Sequence, residues 1–230
     1  MRERRTDLQE MMDDPACDRN RLFATYRHFR WMNPLLGNWK HLIKREILPY
    51  FQAKGQSHIK VLDIGCGGGD VLRYVHKELQ LAGLQVQSLG IDPDPNAAFF
   101  WKEEQLLHQN EGIDYLCGHS SELDTPFDLI LSNHVLHHLP DSITQNFADE
   151  CSRLNAGLCL LNDLQRAPLA YAAYTGLAWP LHWNSFAWID GRRSILRAYK
   201  TVELQRLLGD RWQVRSHGLF RLVAKHYAKE

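Results

Sequence analysis

The stretch Val61-Leu-Asp-Ile-Gly-Cys-Gly-Gly-Gly-Asp70 decides the fold of this chain of 230 residues. It joins an apolar run at residues 59–64, typical of a buried parallel strand, to a turn rich in glycine. A helical pattern follows at residues 70–81. Glycines at such a turn let the backbone approach a ligand closely, and the N-terminus of the next helix presents free N–H groups. The stretch therefore predicts a strand, a ligand-binding loop and a helix.

The same loop excludes two common kinds of nucleotide site. The dinucleotide pattern Gly-x-Gly-x-x-Gly is broken, because Asp70 or Leu72 stands where the third glycine belongs, and the lysine of a phosphate-binding loop is missing. A second predicted strand, at residues 86–91, is followed directly by Asp92. An acid at that place in an α/β fold accepts hydrogen bonds from ribose hydroxyls. We therefore expect a ligand with a ribose but without a pyrophosphate.

Strand and helix patterns alternate along the chain beyond this point. Repeated strand–helix units predict an α/β fold with a doubly wound, mostly parallel sheet. The further predicted strands lie at residues 113–117, 127–132 and 158–162, and the helices lie at residues 96–109 and 141–154, the second with Asp141 as its N-cap.

Elements at both ends of the chain complete the pattern. Asp18 is predicted to cap a first helix, and Pro34 to separate it from a second helix. Near the other end, a helix that ends at Gly209 precedes an antiparallel hairpin. The predicted ranges are 18–32 and 35–52 for the first two helices, 201–208 for the late helix, and 212–216 and 219–224 for the hairpin strands. We therefore expect seven strands in all.

From about residue 60 to residue 162, the chain resembles the class I S-adenosylmethionine-dependent methyltransferases of the small-molecule type. Three motifs carry the resemblance: the glycine loop, Asp92, and the stretch Phe127-Asp-Leu-Ile-Leu-Ser-Asn-His-Val-Leu-His-His-Leu-Pro140, which is similar to the family's fourth-strand motif. The resemblance implies a Rossmann-like sheet and S-adenosylmethionine as the cofactor. Asp63 and the loop would hold its methionine end, and Asp92 its ribose. The implied cofactor residues are Asp63, Gly65, Cys66, Gly67, Gly69, Asp92, Pro93, His119, Ser120 and Asn133.

The chain departs from the family pattern after the third strand. Members often have an acid there that meets the adenine amino group, whereas this sequence has His119 in Tyr115-Leu-Cys-Gly-His119-Ser120. Either His119 or the neighbouring backbone would have to make the adenine contact.

Three histidines, His134, His137 and His138, follow the fourth strand. Their loop faces the carboxyl end of the sheet, where open α/β folds bind ligands. Histidine titrates near neutral pH and is a common proton acceptor in catalysis. We expect His134 or His137 to be the general base, with catalysis that needs no base as the alternative.

An uncharged segment at residues 167–189 follows the fifth strand and is rich in aromatic side chains. In the family that the chain resembles, insertions at this place and N-terminal helices often form the substrate lid, and the dense aromatic content of the segment favours an aromatic or lipid-like acceptor. The alternatives are a helical hairpin packed as core and a shallow contact with a membrane. Its prolines, histidine and asparagine argue against a membrane-spanning helix. The candidate substrate residues are Tyr26, Arg30, Tyr171, Trp179, Trp183, Arg193 and Arg197.

Arg193 and Arg197 allow two interpretations. Clustered guanidinium groups bind a carboxylate or a polarised carbonyl of a substrate. They could equally pair with Asp163 and Asp190 and hold the lid in place.

Composition narrows the function further. The 27 Lys+Arg residues balance 27 Asp+Glu residues, which argues against a protein that wraps nucleic acid. Five scattered cysteines without a C-x-x-C pair predict neither a disulfide framework nor a structural zinc site, and no metal is expected. The N-terminal residues lack the apolar core of a signal peptide, so a cytoplasmic location is expected. The expected partners are a small-molecule acceptor and at most a peripheral membrane contact, for a monomer or homodimer.

The resemblance implies transfer of a methyl group, and the aromatic segment favours a small phenolic or apolar acceptor, with O-methylation favoured. The alternatives are C-methylation of a quinol or lipid-like ring, and a non-catalytic module that binds S-adenosylmethionine. The layout also resembles bacterial methyltransferases of secondary metabolism that act on phenolic polyketides or quinone precursors. One domain is expected over residues 1–230, with a helical cap (1–55), a cofactor-binding core (56–165), a lid and substrate insertion (166–199), and a C-terminal helix and hairpin (200–230).

Overall fold

The computed structural model describes residues 1–107 and 112–228. Within these ranges a seven-stranded sheet forms the centre of the protein. Its strands are β1 (His58–Ile64), β2 (Gln85–Asp92), β3 (Ile113–Cys117), β4 (Phe127–Asn133), β5 (Asn155–Leu164), β6 (Gln213–Ser216) and β7 (Arg221–Tyr227).

The strand order is β3-β2-β1-β4-β5-β7-β6, with β1 to β5 parallel and β7 antiparallel to both β5 and β6. This confirms the predicted doubly wound α/β fold with its C-terminal hairpin. Since the order reverses between β1 and β4, a crevice opens at the carboxyl ends of these two strands. The candidate site lies there.

Helices cover both faces of the sheet. They are α1 (Arg19–Leu36), α2 (Trp39–Leu42), α3 (Leu48–Ala53), α4 (Asp70–Leu81), α5 (Pro95–Leu107), α6 (Asp141–Leu154), α7 (Pro168–Leu177), α8 (Ala187–Arg197) and α9 (Thr201–Leu208). Because both faces of a parallel sheet are buried, successive residues of one strand enter different cores. Val61 belongs to one buried cluster and Leu62 to another.

The N-terminal helices differ partly from the prediction. Asp18 caps α1 as expected, and its Oδ1 accepts hydrogen bonds from the N–H groups of Asn20 and Arg21. Pro34 does not separate two helices: it lies inside the last turn of α1, at the cost of the i→i−4 hydrogen bond that its missing N–H cannot donate. The predicted second helix is present but begins later than expected, at Trp39, and contains a π-helical turn. Asn38 adopts a left-handed conformation before α2, and a π-helical turn at Ile43–Ile47 separates α2 from α3.

Other element boundaries shift by a few residues. Pro140, not Asp141, is the N-cap of α6, because the carboxylate of Asp141 instead accepts hydrogen bonds from Arg4 and the Tyr199 hydroxyl. The helix predicted at residues 96–109 is α5, and residues 108 and 109 lie outside the described residues. The helix at Thr201–Leu208 ends at Gly209 as predicted.

The uncharged segment forms α7, a 3-10 turn at Trp179–His182 and the start of α8. Among the described residues, no helix is long and apolar enough to cross a membrane. The division of the domain into four segments stays a prediction.

Candidate active site

A cavity of about 1400 Å³ opens at the carboxyl ends of β1, β2 and β4. The glycine loop and the ends of these strands form one half, and α1, α7, α8 and the loop before β7 form the other. Its first half is lined by Asp63, Gly65, Cys66, Gly67, Gly68, Asp70, Asp92, Pro93, Asp94, Asn133 and Val135. The cavity therefore lies where the sequence places the cofactor.

Two glycines of the loop are required by geometry. Gly65 has a φ of +73°, and a Cβ there would lie 2.4 Å from Cγ2 of Val135. Gly69 has a φ of +72°, and a Cβ there would lie 2.0 Å from the ring of Trp101. Any larger residue would be strained in the left-handed region as well as in collision with these side chains. The loop after β4 thus closes directly onto the glycine turn.

Beside the loop, two carboxyl groups each have one buried oxygen without a hydrogen-bond partner among the described residues. Asp63 is 1% exposed, and no described residue donates a hydrogen bond to its Oδ1; the same holds for Oδ2 of Asp70. Burial, followed by the charges of Asp70 and Asp92, raises the pKa of Asp63 well above its usual value. Burial also raises the pKa of Asp70 to about 6. Unpartnered buried acceptors are uncommon in folded proteins, and these two fit a cationic group such as an ammonium.

Asp92, the predicted ribose acid, holds the loop in place. Its Oδ2 accepts a hydrogen bond from the N–H of Gly67 at 2.8 Å, and its Oδ1 from the N–H of Asp94 at 2.9 Å. Burial raises the pKa of its carboxyl group, and these two backbone N–H groups oppose that shift. An ionised carboxylate accepts up to about four hydrogen bonds, so Asp92 retains lone pairs for ribose hydroxyls.

The remaining predicted cofactor residues divide into two groups. Cys66, Pro93 and Asn133 line the cavity, and Oδ1 of Asn133 accepts a hydrogen bond from Nε1 of Trp39 at 3.2 Å. Three others, Gly69, His119 and Ser120, do not line it. The N–H of His119 donates to Oε1 of Glu122 in a turn after β3, and its side chain is exposed. An adenine contact by His119 or Ser120 therefore stays a proposal.

His137 is buried between two carboxylates. Its Nδ1 lies 2.6 Å from Oδ1 of Asp163, and its Nε2 lies 3.4 Å from Oε1 of Glu10. Burial lowers the pKa of His137, but the charge and hydrogen bond of Asp163, together with Glu10, overcome this and raise it to about 9. At neutral pH the ring is thus protonated and has no lone pair to accept a proton. The geometry does not favour His137 as the predicted general base.

His134 is held in the opposite protonation state. Its backbone is left-handed, with a φ of 64°, and its Nε2 lies 2.5 Å from Nη1 of Arg221. Burial, followed by the charge of Arg221, lowers the pKa of His134 well below its usual value. The neutral ring uses its lone pair on Nε2 to accept from Arg221, so its proton is on Nδ1. His134 is therefore no free base either.

An N-terminal segment, residues 4–13, closes the second half of the site. The N–H groups of Met11 and Met12 donate to the carboxylate of Asp190, and the Ser194 hydroxyl donates to Oε1 of Glu10 at 2.8 Å. These contacts bring Glu10, which is 3% exposed, beside His137. Sequence reasoning missed Glu10, because no local pattern links it to partners so distant in the chain.

The predicted substrate residues are only partly brought together. Tyr26 lines the cavity, and its hydroxyl donates to Oδ2 of Asp94 at 3.3 Å. In α7 and the following turn, the lining residues are Ala170, Ala173, Tyr174, Leu177, Ala178 and Leu181. The remaining candidates do not line the cavity: these are Arg30, Tyr171, Trp179, Trp183, Arg193 and Arg197.

The structure places these six residues elsewhere, as four of them show. The hydroxyl of Tyr171 accepts from Arg192, and Trp183 is 78% exposed. Arg30 pairs with Glu104. Arg193 donates to the carbonyl of Gln9.

Arg193 and Arg197 support the second interpretation of their role. Nη1 of Arg193 lies 4.0 Å from Asp190 as well, while Arg197 donates to the carbonyls of His137 and His138 and pairs with Asp13. Both arginines hold the N-terminal segment or the histidine loop. Asp163 does not pair with either arginine among the described contacts, since it is engaged by His137.

Two groups of side chains have the spacing of metal ligands. Atoms of Glu10, His137 and His138 lie within 4.8 Å of one another, as do those of His134, His137 and Asp163. Hydrogen bonds and charge attraction among these side chains account for their proximity. The expectation that no metal binds stays a prediction.

Comparison with known proteins agrees with this geometry. A model of the methyltransferase domain matches residues 28–210. A ubiquinone biosynthesis O-methyltransferase of Maricaulis maris is 31% identical over 135 residues, which are 54% of this chain and 48% of that protein. Its counterpart from Psychrobacter cryohalolentis is 28% identical over 163 residues, 65% of this chain and 58% of that protein. The chain thus spans about half the length of the curated relatives it matches.

Solved structures share the fold. Human N-acetylserotonin methyltransferase in complex with S-adenosylmethionine has a TM-score of 0.62 at 14% identity, covering 93% of this chain and 57% of that one. Magnesium protoporphyrin IX methyltransferase from Synechocystis PCC 6803, with bound S-adenosylhomocysteine, has a TM-score of 0.54 at 12% identity, covering 84% of each chain. With the matched domain model, the strand order and the acidic glycine-loop cavity, these likenesses lead to one conclusion: the chain belongs to the methyltransferase domain family, as a member of the class I S-adenosylmethionine-dependent methyltransferases.

Proposed function

We propose that the protein transfers a methyl group from S-adenosylmethionine to an oxygen atom of a small, apolar, aromatic acceptor. One observation carries this proposal: a single cavity joins an acidic half at the glycine loop to an apolar half under α1, α7 and α8. The names of the curated relatives, ubiquinone biosynthesis O-methyltransferases, support oxygen as the acceptor atom.

The acidic half fits the cofactor. Asp63 and Asp70 would hold its ammonium group with their unpartnered oxygens, and Asp92 would accept from its ribose hydroxyls. When bound, the cofactor supplies a methyl group on a positively charged sulfur. The carboxylates that line the cavity stabilise such a cation electrostatically. In the described part of the chain they are Glu10, Asp13, Asp14, Asp63, Asp70, Asp92, Asp94 and Asp190.

The apolar half fits an aromatic ring or an alkyl chain. Its lining includes Phe29, Met32, Leu36, Leu177, Leu181, Ile195, Leu219 and Phe220. Burial of an apolar ligand against such side chains contributes roughly 25 cal/mol per Å² of buried surface. Since the protein's polar groups at this end are engaged with each other, ring shape and apolar area would dominate acceptor recognition.

The mouth of the cavity carries exposed apolar side chains. Leu35, Leu177 and Leu219 are at least 71% exposed and belong to the cavity lining. They provide an entry for an apolar acceptor and, at most, a peripheral contact with a membrane surface. The proposal also includes that the protein is a cytoplasmic monomer or homodimer and that it has no nucleic-acid partner.

Oxygen is favoured over carbon because of the histidines. Methylation of a ring carbon requires a base that removes the ring proton. His137 is protonated, and the lone pair of His134 is occupied by Arg221. A hydroxyl oxygen can lose its proton to water before the reaction and needs only alignment in the site.

Calorimetry with S-adenosylmethionine, followed by methyl transfer, tests this function. Transfer from labelled cofactor is measured on a panel of alkylated catechols, resorcinols and hydroquinones, and mass spectrometry assigns the methylated atom. We expect O-methyl products and stoichiometric S-adenosylhomocysteine. C-methyl products would select the quinol-ring alternative, and binding without turnover on every acceptor would select a non-catalytic module. Absence of cofactor binding would refute all three.

A further inference from the structure

Arg221 is a buried cation that faces the cavity. It begins β7, is 2% exposed, and lines the cavity beside Leu219 and Phe220. Of the described residues that form the lining, it is the one arginine, and none is a lysine. A buried positive charge at this place calls for a negative partner, because removal of an ion from water is costly.

The protein itself supplies neutral partners to this guanidinium. Nε donates to Oδ1 of Asn162 at 3.3 Å, Nη1 to Nε2 of His134 at 2.5 Å, and Nη2 to Oδ1 of Asn133 at 2.9 Å. In the described part of the chain, no carboxylate forms an ion pair with it. Burial lowers the pKa of Arg221 to about 10, and the more distant charge of Asp163 only partly opposes this. A guanidinium carries five N–H groups, so two remain for a ligand after these three contacts.

Arg221 lies close to the part of the cavity where methyl transfer would take place. Asn133, which it contacts, is the last residue of β4, and Val135 packs against the glycine turn at Gly65. Arg221 therefore lies at the border between the acidic half and the apolar half. In the proposed function, the acceptor oxygen has to reach this border.

His134 contacts the guanidinium of Arg221 from a constrained backbone. Its left-handed backbone places Nε2 against Nη1 of Arg221, and strained non-glycine residues cluster at functional sites because the surrounding structure enforces them. As a neutral ring it orients the guanidinium without removing any of its charge.

We infer that Arg221, oriented by His134, Asn133 and Asn162, forms an oxyanion subsite that binds the ionised aromatic hydroxyl of the acceptor. This inference rests on the proposed function and deepens it, since it names the ionisation state of the acceptor. The hydroxyl proton passes to solvent water when the acceptor binds, so no histidine has to take it. A guanidinium is well suited to this role because its charge persists at every physiological pH.

Other titratable groups around Arg221 do not replace this role. His134 and His137 come from the loop after β4, Asp163 comes from β5, and His217 lies in the hairpin; each of them interacts with the charge of Arg221 directly or through its neighbours. Asp163 is neutralised by the protonated His137, and the pKa of His217 is lowered by burial. Arg221 therefore supplies the positive charge at this part of the cavity wall, and none of the described carboxylates that also line the cavity forms an ion pair with it.

The test measures ionisation of a bound probe rather than methyl transfer. 4-Nitrophenol absorbs visible light only as the phenolate, so a spectrophotometric pH titration with saturating protein and S-adenosylhomocysteine reports the pKa of the bound hydroxyl. We expect the wild-type protein to lower this pKa by about 1–3 units, the usual effect of a nearby opposite charge. Arg221→Gln should abolish the shift, and Arg221→Lys should retain part of it. Arg215→Gln is the matched control, because Arg215 lies in the same hairpin but pairs with Glu46 and does not line the cavity.

Three results would overturn the subsite: no binding of 4-nitrophenol, binding with an unshifted pKa, or an equal shift in Arg221→Gln. The wild-type titration needs no substitution, so a folding defect in a variant leaves the inference falsifiable. Calorimetry with S-adenosylhomocysteine verifies that each variant folds. A shifted pKa together with no methyl transfer to any acceptor would refute the proposed function and leave the subsite standing.

Discussion

Nδ1 of His137 lies 2.6 Å from Oδ1 of Asp163, and both side chains are at most 3% exposed. The pair joins the loop after β4 to β5, and the N–H of His137 donates to the other oxygen of the same carboxylate. A buried ion pair with these additional hydrogen bonds depends on the protonation of both partners. It makes the stability of the fold sensitive to pH in a predictable direction.

The first prediction concerns alkaline pH. The folded-state pKa of His137, about 9, exceeds the ordinary value of 6.5, so its contribution is fully present below pH 6.5 and is lost as pH rises through 9. The loss is on the order of 3 kcal/mol in the free energy of unfolding. Denaturant titrations from pH 6 to pH 10 should show this decline in the wild-type protein and not in His137→Gln. His58→Gln, a substitution at an exposed histidine, should retain the decline; a flat wild-type profile would contradict the prediction.

A second prediction separates binding from stability at Asp63. Replacement by Asn removes a buried carboxyl group that has no partner for Oδ1 and whose pKa is raised. A raised carboxyl pKa disfavours folding above the ordinary value, so Asp63→Asn should raise the unfolding free energy at pH 8 by about 1 kcal/mol or more. It should also weaken S-adenosylmethionine binding by about tenfold, since a charge-assisted contact is lost. Calorimetry and denaturation measure the two effects, with Asp149→Asn at an exposed ion pair as the control.

The third prediction concerns the ribose acid. Asp92→Ala should weaken S-adenosylmethionine binding by about 1–3 kcal/mol, the cost of removing hydrogen bonds to a charged group. It also leaves the N–H groups of Gly67 and Asp94 without their acceptor. Calorimetry measures the affinity. An unchanged affinity would mean that Asp92 serves only to cap these backbone groups.

The fourth prediction tests the reach of the N-terminal segment into the site. Glu10→Gln removes one of the two carboxylates beside His137, so the pKa of His137 should fall, while Asp163 keeps it above 6.5. Nuclear magnetic resonance titration of the imidazole measures this directly. Glu3→Gln, at an exposed residue just before the segment, should leave that pKa unchanged. An unaltered pKa in Glu10→Gln would place the segment elsewhere in solution.

The parts of the site that could be predicted from the sequence are local. Asp63, the glycines and Asp92 lie at the ends of strands that their apolar runs predict. In an open α/β sheet the carboxyl ends of such strands lie together at the ligand site. The residues that were missed, Glu10 and Arg221, reach the cavity through tertiary packing. Arg221 stands in an alternating strand pattern, which alone does not distinguish a buried cation from an exposed one.

The lid shows a second limit of prediction. Its aromatic content indicated a wall around the acceptor, yet Tyr174 lines the cavity whereas Tyr171, three residues earlier, bonds to Arg192. The composition gives the number of aromatic side chains in a helix, while the packing of α7 on α8 decides which of these side chains face the cavity. Pro34 illustrates the same point, since the last turn of α1 tolerates a residue that commonly ends helices.

The contact between Ser194 and Glu10 has a consequence for biosynthesis. The two residues stand 184 positions apart, and two further anchors of the N-terminal segment, Asp190 and Arg197, are equally late in the chain. The ribosome releases the first residues long before their partners, and contacts of such long sequence separation form slowly. The contacts of this segment with α8 can therefore form only after α8 has emerged. The second half of the cavity can close only after α8 has been synthesised, which postpones acceptor binding until then.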